Sequence, residues 1–123
     1  MKYMCLIYYD ENNLDSLSKN EFEALVDEAL DYDVELQEKG QSLARGALQS
    51  IQTATSIRIR NGRTSITDGP FVETKEQLGG IVLIEANDLN DAIQIASKLP
   101  PARLGGVEVR PIRDLSKSTR FLI

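Results

Sequence analysis

The stretch TDGPFVETKEQLGGIVLIEA, Thr67–Ala86, decides how the rest of the chain is read. Its second half, from Leu78 to Ala86, is apolar on both alternations, which marks a central strand covered on both faces. Gly79 and Gly80, at the start of that strand, let another backbone or a ligand come close. The first half is turn chemistry. Asp68 can bond its own downstream backbone in an Asx-type turn, Gly69 tolerates unusual dihedrals before Pro70, and Phe71 is an apolar anchor. Thr74 and Gln77 have capping-box spacing, which predicts one short helical turn beginning there.

Just upstream, ATSIRIR (54–60) and RTSIT (63–67) alternate on either side of Asn61-Gly62. Two central residues that tolerate positive φ between alternating strands make a strong hairpin signal. The hairpin sets Arg60 opposite Arg63, with Arg58 two residues along. That reads as a solvated edge ribbon whose charges discourage edge pairing, with an anion-binding patch as the alternative. Before it, residues 42–49 read as a modest strand with Gly46 as a bulge or close-approach point. Arg45 shares its alternation with Leu43 and Ala47, which places it toward an interior surface.

Downstream, Asn87 or Asp88 caps a helix over about 88–99, with Leu89, Ala92, Ile93, Ala96 and Leu99 in one stripe and Pro100-Pro101 ending it. A loop over Ala102–Gly106 leads to a last strand, Val107–Ile112, with Val107 and Val109 on one side and Glu108 and Arg110 on the other.

At the other end, Lys2–Tyr9 is apolar on both alternations and reads as a second central strand. Asp10–Asp15 is a polar turn. Ser18 and Glu21 form a capping box for a long helix over about 18–39, stopped by Gly40. Phe22, Leu25, Val26, Ala29, Leu30, Tyr32 and Leu36 make one wide apolar arc, opposite an acidic face that includes Asp27, Asp31, Glu35 and Glu38. Asp33 breaks the pattern by sitting within the apolar arc. It is either wet or paired with a nearby Arg or Tyr, or it is a partly buried carboxylate lining a cavity.

The order is β-α-β, hairpin, β-α-β. It predicts a ferredoxin-like α+β domain over 1–112, with an antiparallel sheet and two helices on one face. Two helices cover one side, yet both central strands are apolar on both. A second copy packed sheet to sheet is the economical cover, so a homodimer is expected, its barrel lined partly by Tyr3 or Tyr8, Arg45, Glu108 and Arg110. The tail, 113–123, closes on Phe121-Leu122-Ile123 and is expected to dock, for example on a partner subunit.

Composition narrows the function classes. A net charge of −5 disfavours a nucleic-acid backbone or an anionic membrane as principal partner. A single cysteine, the lack of a signal-peptide layout and the lack of any run near ~18–20 apolar residues point to a cytoplasmic location. With no histidine in the sequence, His-dependent triads and His-ligated metals are excluded, and with one cysteine zinc is not expected either. No cofactor is expected.

With these elements placed, the chain resembles the YCII-related family, specifically its DGPF-domain proteins of bacteria. The likeness runs over Lys2–Ile112 and is sharpest from Thr67 to Gly80, with Val107-Glu108-Val109-Arg110-Pro111 matching the closing motif and Met4–Tyr8 the opening strand. The resemblance implies a dimeric α+β barrel. It also implies a neighbourhood of extracytoplasmic-function sigma factors, and relatives in the wider group include an enzyme that eliminates chloride with a His-Asp pair. This chain has no histidine, so that mechanism does not carry over.

Two functions follow. One is a small-ligand-binding protein, or a lyase- or isomerase-like enzyme, with Asp68 as carboxylate base or orienting group. Arg45 or Arg110 would then hold a small anionic ligand, with Tyr3, Tyr8, Phe71 and Lys75 around it and Glu73 a second choice. Asp68 is alternatively a plain turn-former. The other function is a regulatory module for a sigma-factor-type partner.

Overall fold

The computed structural model describes residues 1–116. Strand β1 (Lys2–Tyr9) lies inside a four-stranded antiparallel sheet. It pairs on one side with β5 (Gln77–Glu85) and on the other with β6 (Gly105–Pro111), while β2 (Ser42–Ala47) pairs along the outer side of β5. The sheet order β2-β5-β1-β6 is the ferredoxin-like arrangement that the element order predicts. Between β2 and β5 the chain inserts a separate two-stranded ribbon, β3 (Thr55–Arg60) and β4 (Arg63–Asp68). Asn61 (φ 51°) and Gly62 (φ 76°) turn it, both with the positive φ that a two-residue hairpin loop demands.

Directly opposed residues of an antiparallel pair share a face. Tyr3, Cys5 and Ile7 therefore lie with Ile84, Val82 and Gly80 of β5, and Cys5 and Ile7 also with Val109 and Val107 of β6. This face carries the core. Helix α2 (Lys19–Glu38) contributes Leu36, and α3 (Leu89–Ala96) contributes Ala92, Ile95 and Ala96. Cys5 and Ile84 are completely buried at its centre. The Tyr32 hydroxyl of α2 donates to the Ile95 carbonyl of α3 at 2.7 Å, fixing the two helices side by side. Met4, Leu6 and Tyr8, with Ile81 and Leu83, form the opposite face and are only half-buried.

The capping box at Ser18 forms as read: Glu21 N–H donates to the Ser18 hydroxyl at 3.1 Å and Ser18 N–H to the Glu21 carboxylate at 2.9 Å. Asp88, not Asn87, caps α3 by accepting from Asp91 N–H at 2.8 Å.

Three local readings need correction. Asp10–Asp15 is a short helix, α1 (Glu11–Asp15), because the Asp10 carboxylate caps it by accepting from Asn12 N–H. Thr74 and Gln77 start no helix. The Thr74 hydroxyl donates to the Glu76 carbonyl at 2.6 Å, and the Gln77 amide donates to the carbonyls of Val72 and Thr74, so the polar side chains brace a bent, non-helical return into β5. Pro100–Leu104 is a 3-10 helix, since prolines suit a helix start where no N–H is needed. The expected docking of the tail's apolar end falls on residues 117–123, outside the described residues.

Candidate functional site

The sheet's covered face is not filled evenly. Over the β2–β5 half, under α2, a cavity of about 250 Å³ lies between helix and sheet. Its floor is Ile7, Tyr9, Gly79, Gly80 and Val82, and its roof is the apolar arc of α2 from Phe22 to Leu30. The far wall comes from Leu14 of α1 and from Pro100 and Leu104 of the 3-10 helix. By proportion to the ~150 Å³ engineered cavity that holds a benzene, the space suits about ten non-hydrogen atoms.

Two glycines of the signature help make this floor. A Cβ on Gly79 would fall on the Tyr9 ring, so only glycine lets that ring lie across the strand. A Cβ on Gly80 would stand 3.3 Å from the Gly46 carbonyl oxygen, so β2 sits close beside β5 there. Tyr9 is buried, and its phenol pKa is raised first by that burial and then by the charges of Glu11 and Asp15.

The frame around the cavity is held by polar contacts at its rim. Arg103 makes a two-pronged bond to Glu28 of α2, at 2.8 and 2.6 Å. That guanidinium holds the Glu28 carboxyl below the usual range. Asn13 donates to the Leu104 carbonyl, and the Glu11 carboxylate accepts from Ile51 N–H at 2.6 Å and from the Ser50 hydroxyl at 2.8 Å. The short helix α1 thus links the far wall to the β2–β3 connection.

One end of the apolar cavity is charged. Asp33, 5% exposed, sits on α2 facing β2, accepts two hydrogen bonds and makes one ion pair. The Ser42 hydroxyl reaches Oδ1 at 2.6 Å, while Gln37 Nε2 at 2.6 Å and Arg45 Nε at 2.7 Å reach Oδ2. The Arg45 side chain is 47% exposed, so the pair joins a buried carboxylate to a half-solvated guanidinium. Of the two readings open for Asp33, the structure takes both parts: paired with an arginine, and lining a cavity.

Of the residues singled out from the sequence, Arg45 lies at this cavity. Tyr3 is buried in the core on the same face, outside the cavity. Tyr8 and Lys75 come together elsewhere, in a wider polar trench with Asp10, Asn13, Glu76 and Glu108. Arg110 stands 3.7 Å from Glu108 on the other sheet face, beside Met4 in register. Asp68 ends β4 opposite Thr55 and is exposed. Among the described residues its carboxylate makes no hydrogen bond, so the Asx-type turn is not formed. The neighbouring Gly69 makes the turn instead, at φ 106°: its N–H donates to the Ala54 carbonyl and its own carbonyl accepts from the Ser56 hydroxyl, both at 2.8 Å. Phe71 is exposed and serves as a platform for Arg58, whose guanidinium lies 4.0 Å above the ring centre. The barrel-lining set therefore divides between two sheet faces, with Tyr3 and Arg45 on one and Tyr8, Glu108 and Arg110 on the other.

The sequence reading passed over Tyr9, Leu14 and the Pro100–Leu104 wall. Asp10 followed by a leucine four residues on was a usable cap signal for α1. Nothing local announced that Tyr9 would cross Gly79. Among the described residues, no three His, Cys, Asp or Glu side chains are grouped to hold a metal ion, and no helix is long and apolar enough to cross a membrane.

Sheet order, the single helical layer and the inserted ribbon define an α+β domain of the ferredoxin-like class. Within that class the chain belongs to the YCII-related domain family, whose profile matches residues 1–116. It is also 35% identical over 114 residues to an uncharacterized protein of Rhizobium meliloti (strain 1021), covering 91% of this chain and 92% of the relative.

Proposed function

We propose that this protein binds a small, mainly apolar molecule with one anionic end in the cavity between α2 and the sheet. The observation that carries the reading is an apolar cavity closed at one end by a single ion pair, Asp33 with Arg45. Ligand sites are typically apolar hollows with a few placed polar groups, and a guanidinium suits a carboxylate. Asp33 already accepts two hydrogen bonds and pairs with Arg45, which favours a fixed orienting role over that of a free base. Binding is accordingly the primary activity. A lyase- or isomerase-like step would need its proton acceptor from the ligand or from a displaced Asp33 bond.

The working unit in this reading is a homodimer. The half-buried face of Met4, Leu6, Tyr8, Ile81 and Leu83 has the two-sided apolar pattern of strands that expect cover on both sides.

Octanoate and 1-octanol, near ten non-hydrogen atoms each, make a matched pair of probes. Saturable amide shifts at Ala29, Ala47 and Val82 are expected with octanoate. Arg45→Met should weaken octanoate about tenfold and leave octanol nearly unchanged. Shifts confined to the surface, or equal loss for both probes, refute the reading.

A further inference from the structure

The β3–β4 ribbon has two unlike faces. Opposed residues of an antiparallel pair share a face, and the register sets Ser56 opposite Thr67, Arg58 opposite Ser65 and Arg60 opposite Arg63. One face therefore consists of three guanidiniums and three hydroxyls. Ile57, Ile59 and Ile66 lie on the other, together with Asp68, the ribbon's one carboxylate. Ser56, at the base of the arginine face, is half-buried and donates to the Gly69 carbonyl, while the other five side chains of that face are exposed.

Arg45, Arg103 and Arg110 have acid partners, at 2.7, 2.6 and 3.7 Å respectively. Arg58, Arg60 and Arg63 have none among the described residues, although the chain's net charge is −5. Guarding a ribbon against edge pairing needs charge of either sign. It does not need like charges directly opposed, with Cβ atoms only ~5 Å apart, an arrangement that costs stability. Nor does it need one guanidinium held over a ring, as Arg58 is held 4.0 Å from the centre of Phe71. The ring restrains that side chain while its N–H groups meet no acceptor among the described residues.

We propose that the arginine face of the ribbon binds a small molecule carrying two or more adjacent phosphates. Arg60 and Arg63 clasp one phosphate between them, which cancels their repulsion. Arg58, the diagonal neighbour of Arg63 at ~7–8 Å, takes the next phosphate with the Ser65 hydroxyl beside it. Guanidinium forks meet phosphate oxygens two at a time. Three like charges on so small a face select several negative charges held close together, so adjacent phosphates fit better than a lone carboxylate. Larger sources of phosphate fit less well. A long nucleic-acid strand would lie against a chain of net charge −5. A lipid headgroup layer that met the arginines would leave the isoleucines turned away from the bilayer. The site is separate from the cavity under α2 and needs no ligand there.

Calorimetric titration of tripolyphosphate into the full chain at low salt tests this. Saturable binding that weakens as salt is added is expected, with amide shifts centred on Arg58, Arg63 and Ser65. Arg60→Gln combined with Arg63→Gln should weaken binding about tenfold or more. Without tripolyphosphate the same variant should unfold no lower in temperature than the wild type, because the opposed like charges are gone. Phe71→Leu keeps an apolar side chain but frees Arg58, and should weaken binding about threefold. Absence of saturable binding by the wild type, or unchanged affinity in the folded double variant, overturns the proposal. Tighter binding of citrate overturns the assignment to phosphates, and tighter binding of a single-stranded oligonucleotide overturns the choice of a small molecule. Octanoate binding should be unchanged in the double variant, so failure of this site and failure of the cavity reading remain distinct.

Discussion

Replacing Asp33 separates the charge of the buried carboxylate from its hydrogen bonds. In Asp33→Asn, the amide oxygen can stand where Oδ2 stands and keep the hydrogen bond from Gln37, while the ion pair with Arg45 is lost. The amide nitrogen then meets the Ser42 hydroxyl, which turns to accept. Both hydrogen bonds survive and the ion pair is lost. Bonds to charged groups contribute ~1.5–3 kcal/mol against ~1 for neutral ones, and water screens the half-exposed Arg45, so a loss of about 1–2 kcal/mol is expected. Asp33→Ala removes every acceptor and leaves a guanidinium, an amide and a hydroxyl to find water at the edge of an apolar cavity. About 3–4 kcal/mol is expected there, close to the cost of breaking a buried pair. Urea unfolding with a constant slope reads both differences from the midpoints. An alanine variant no less stable than the asparagine variant refutes the hydrogen-bond reasoning. So does a loss under about 0.5 kcal/mol in both.

Gly79→Ala should cost about 2 kcal/mol, because its Cβ falls on the buried Tyr9 ring and the ring must move into the cavity; thermal unfolding and loss of octanoate binding both read it. Gly105→Ala should be worse in stability, since the obstructing atoms are backbone, the Tyr8 carbonyl oxygen and the Tyr9 Cα. Burial pushes the Cys5 thiol up to about 11. Folded protein at pH 8 should therefore resist iodoacetamide and react only after unfolding. A thiol pKa raised on folding contributes stability that is fully present below the ordinary value of ~8.5 and is lost as pH rises toward 11, so Cys5→Ala should flatten that alkaline decline. Glu28 has the opposite sign: Arg103 lowers its pKa, so its contribution is present above ~4.3 and is lost as pH falls through the lowered value. Glu28→Gln should flatten the acid limb of the stability curve, measured by chemical unfolding at each pH.

The fold was legible because its signals are periodic. Two strands apolar on both alternations, two helical stripes and an Asn-Gly hairpin leave few ways to connect the elements, and the observed sheet order is the expected one. The site was legible only where a residue broke its pattern. Asp33 interrupts an apolar arc, and Arg45 shares the inward alternation of β2; the two meet at 2.7 Å. Tyr9 gave no such sign, because an aromatic residue at the end of an apolar strand looks the same whether it fills a core or crosses a glycine. Thr74 and Gln77 misled for a related reason. Their spacing suits a capping box, but the same hydroxyl and amide also brace a bent loop by bonding carbonyls two to five residues away.

The most distinctive stretch of the sequence thus turns out to be scaffold around the cavity more than its chemistry. Gly69 reverses the chain out of the ribbon, Phe71 carries Arg58, Gln77 gathers the return loop, and Gly79 and Gly80 let Tyr9 and β2 close on the floor. Each of these positions is specified by a backbone angle or a close approach, and such demands admit few residue types. The cavity's own lining is specified only by being apolar and of suitable size, a demand that Leu, Ile, Val and Phe can share. A chemically particular sequence and a functionally particular site need not coincide, and here they meet at a single place: the glycine floor beneath Tyr9.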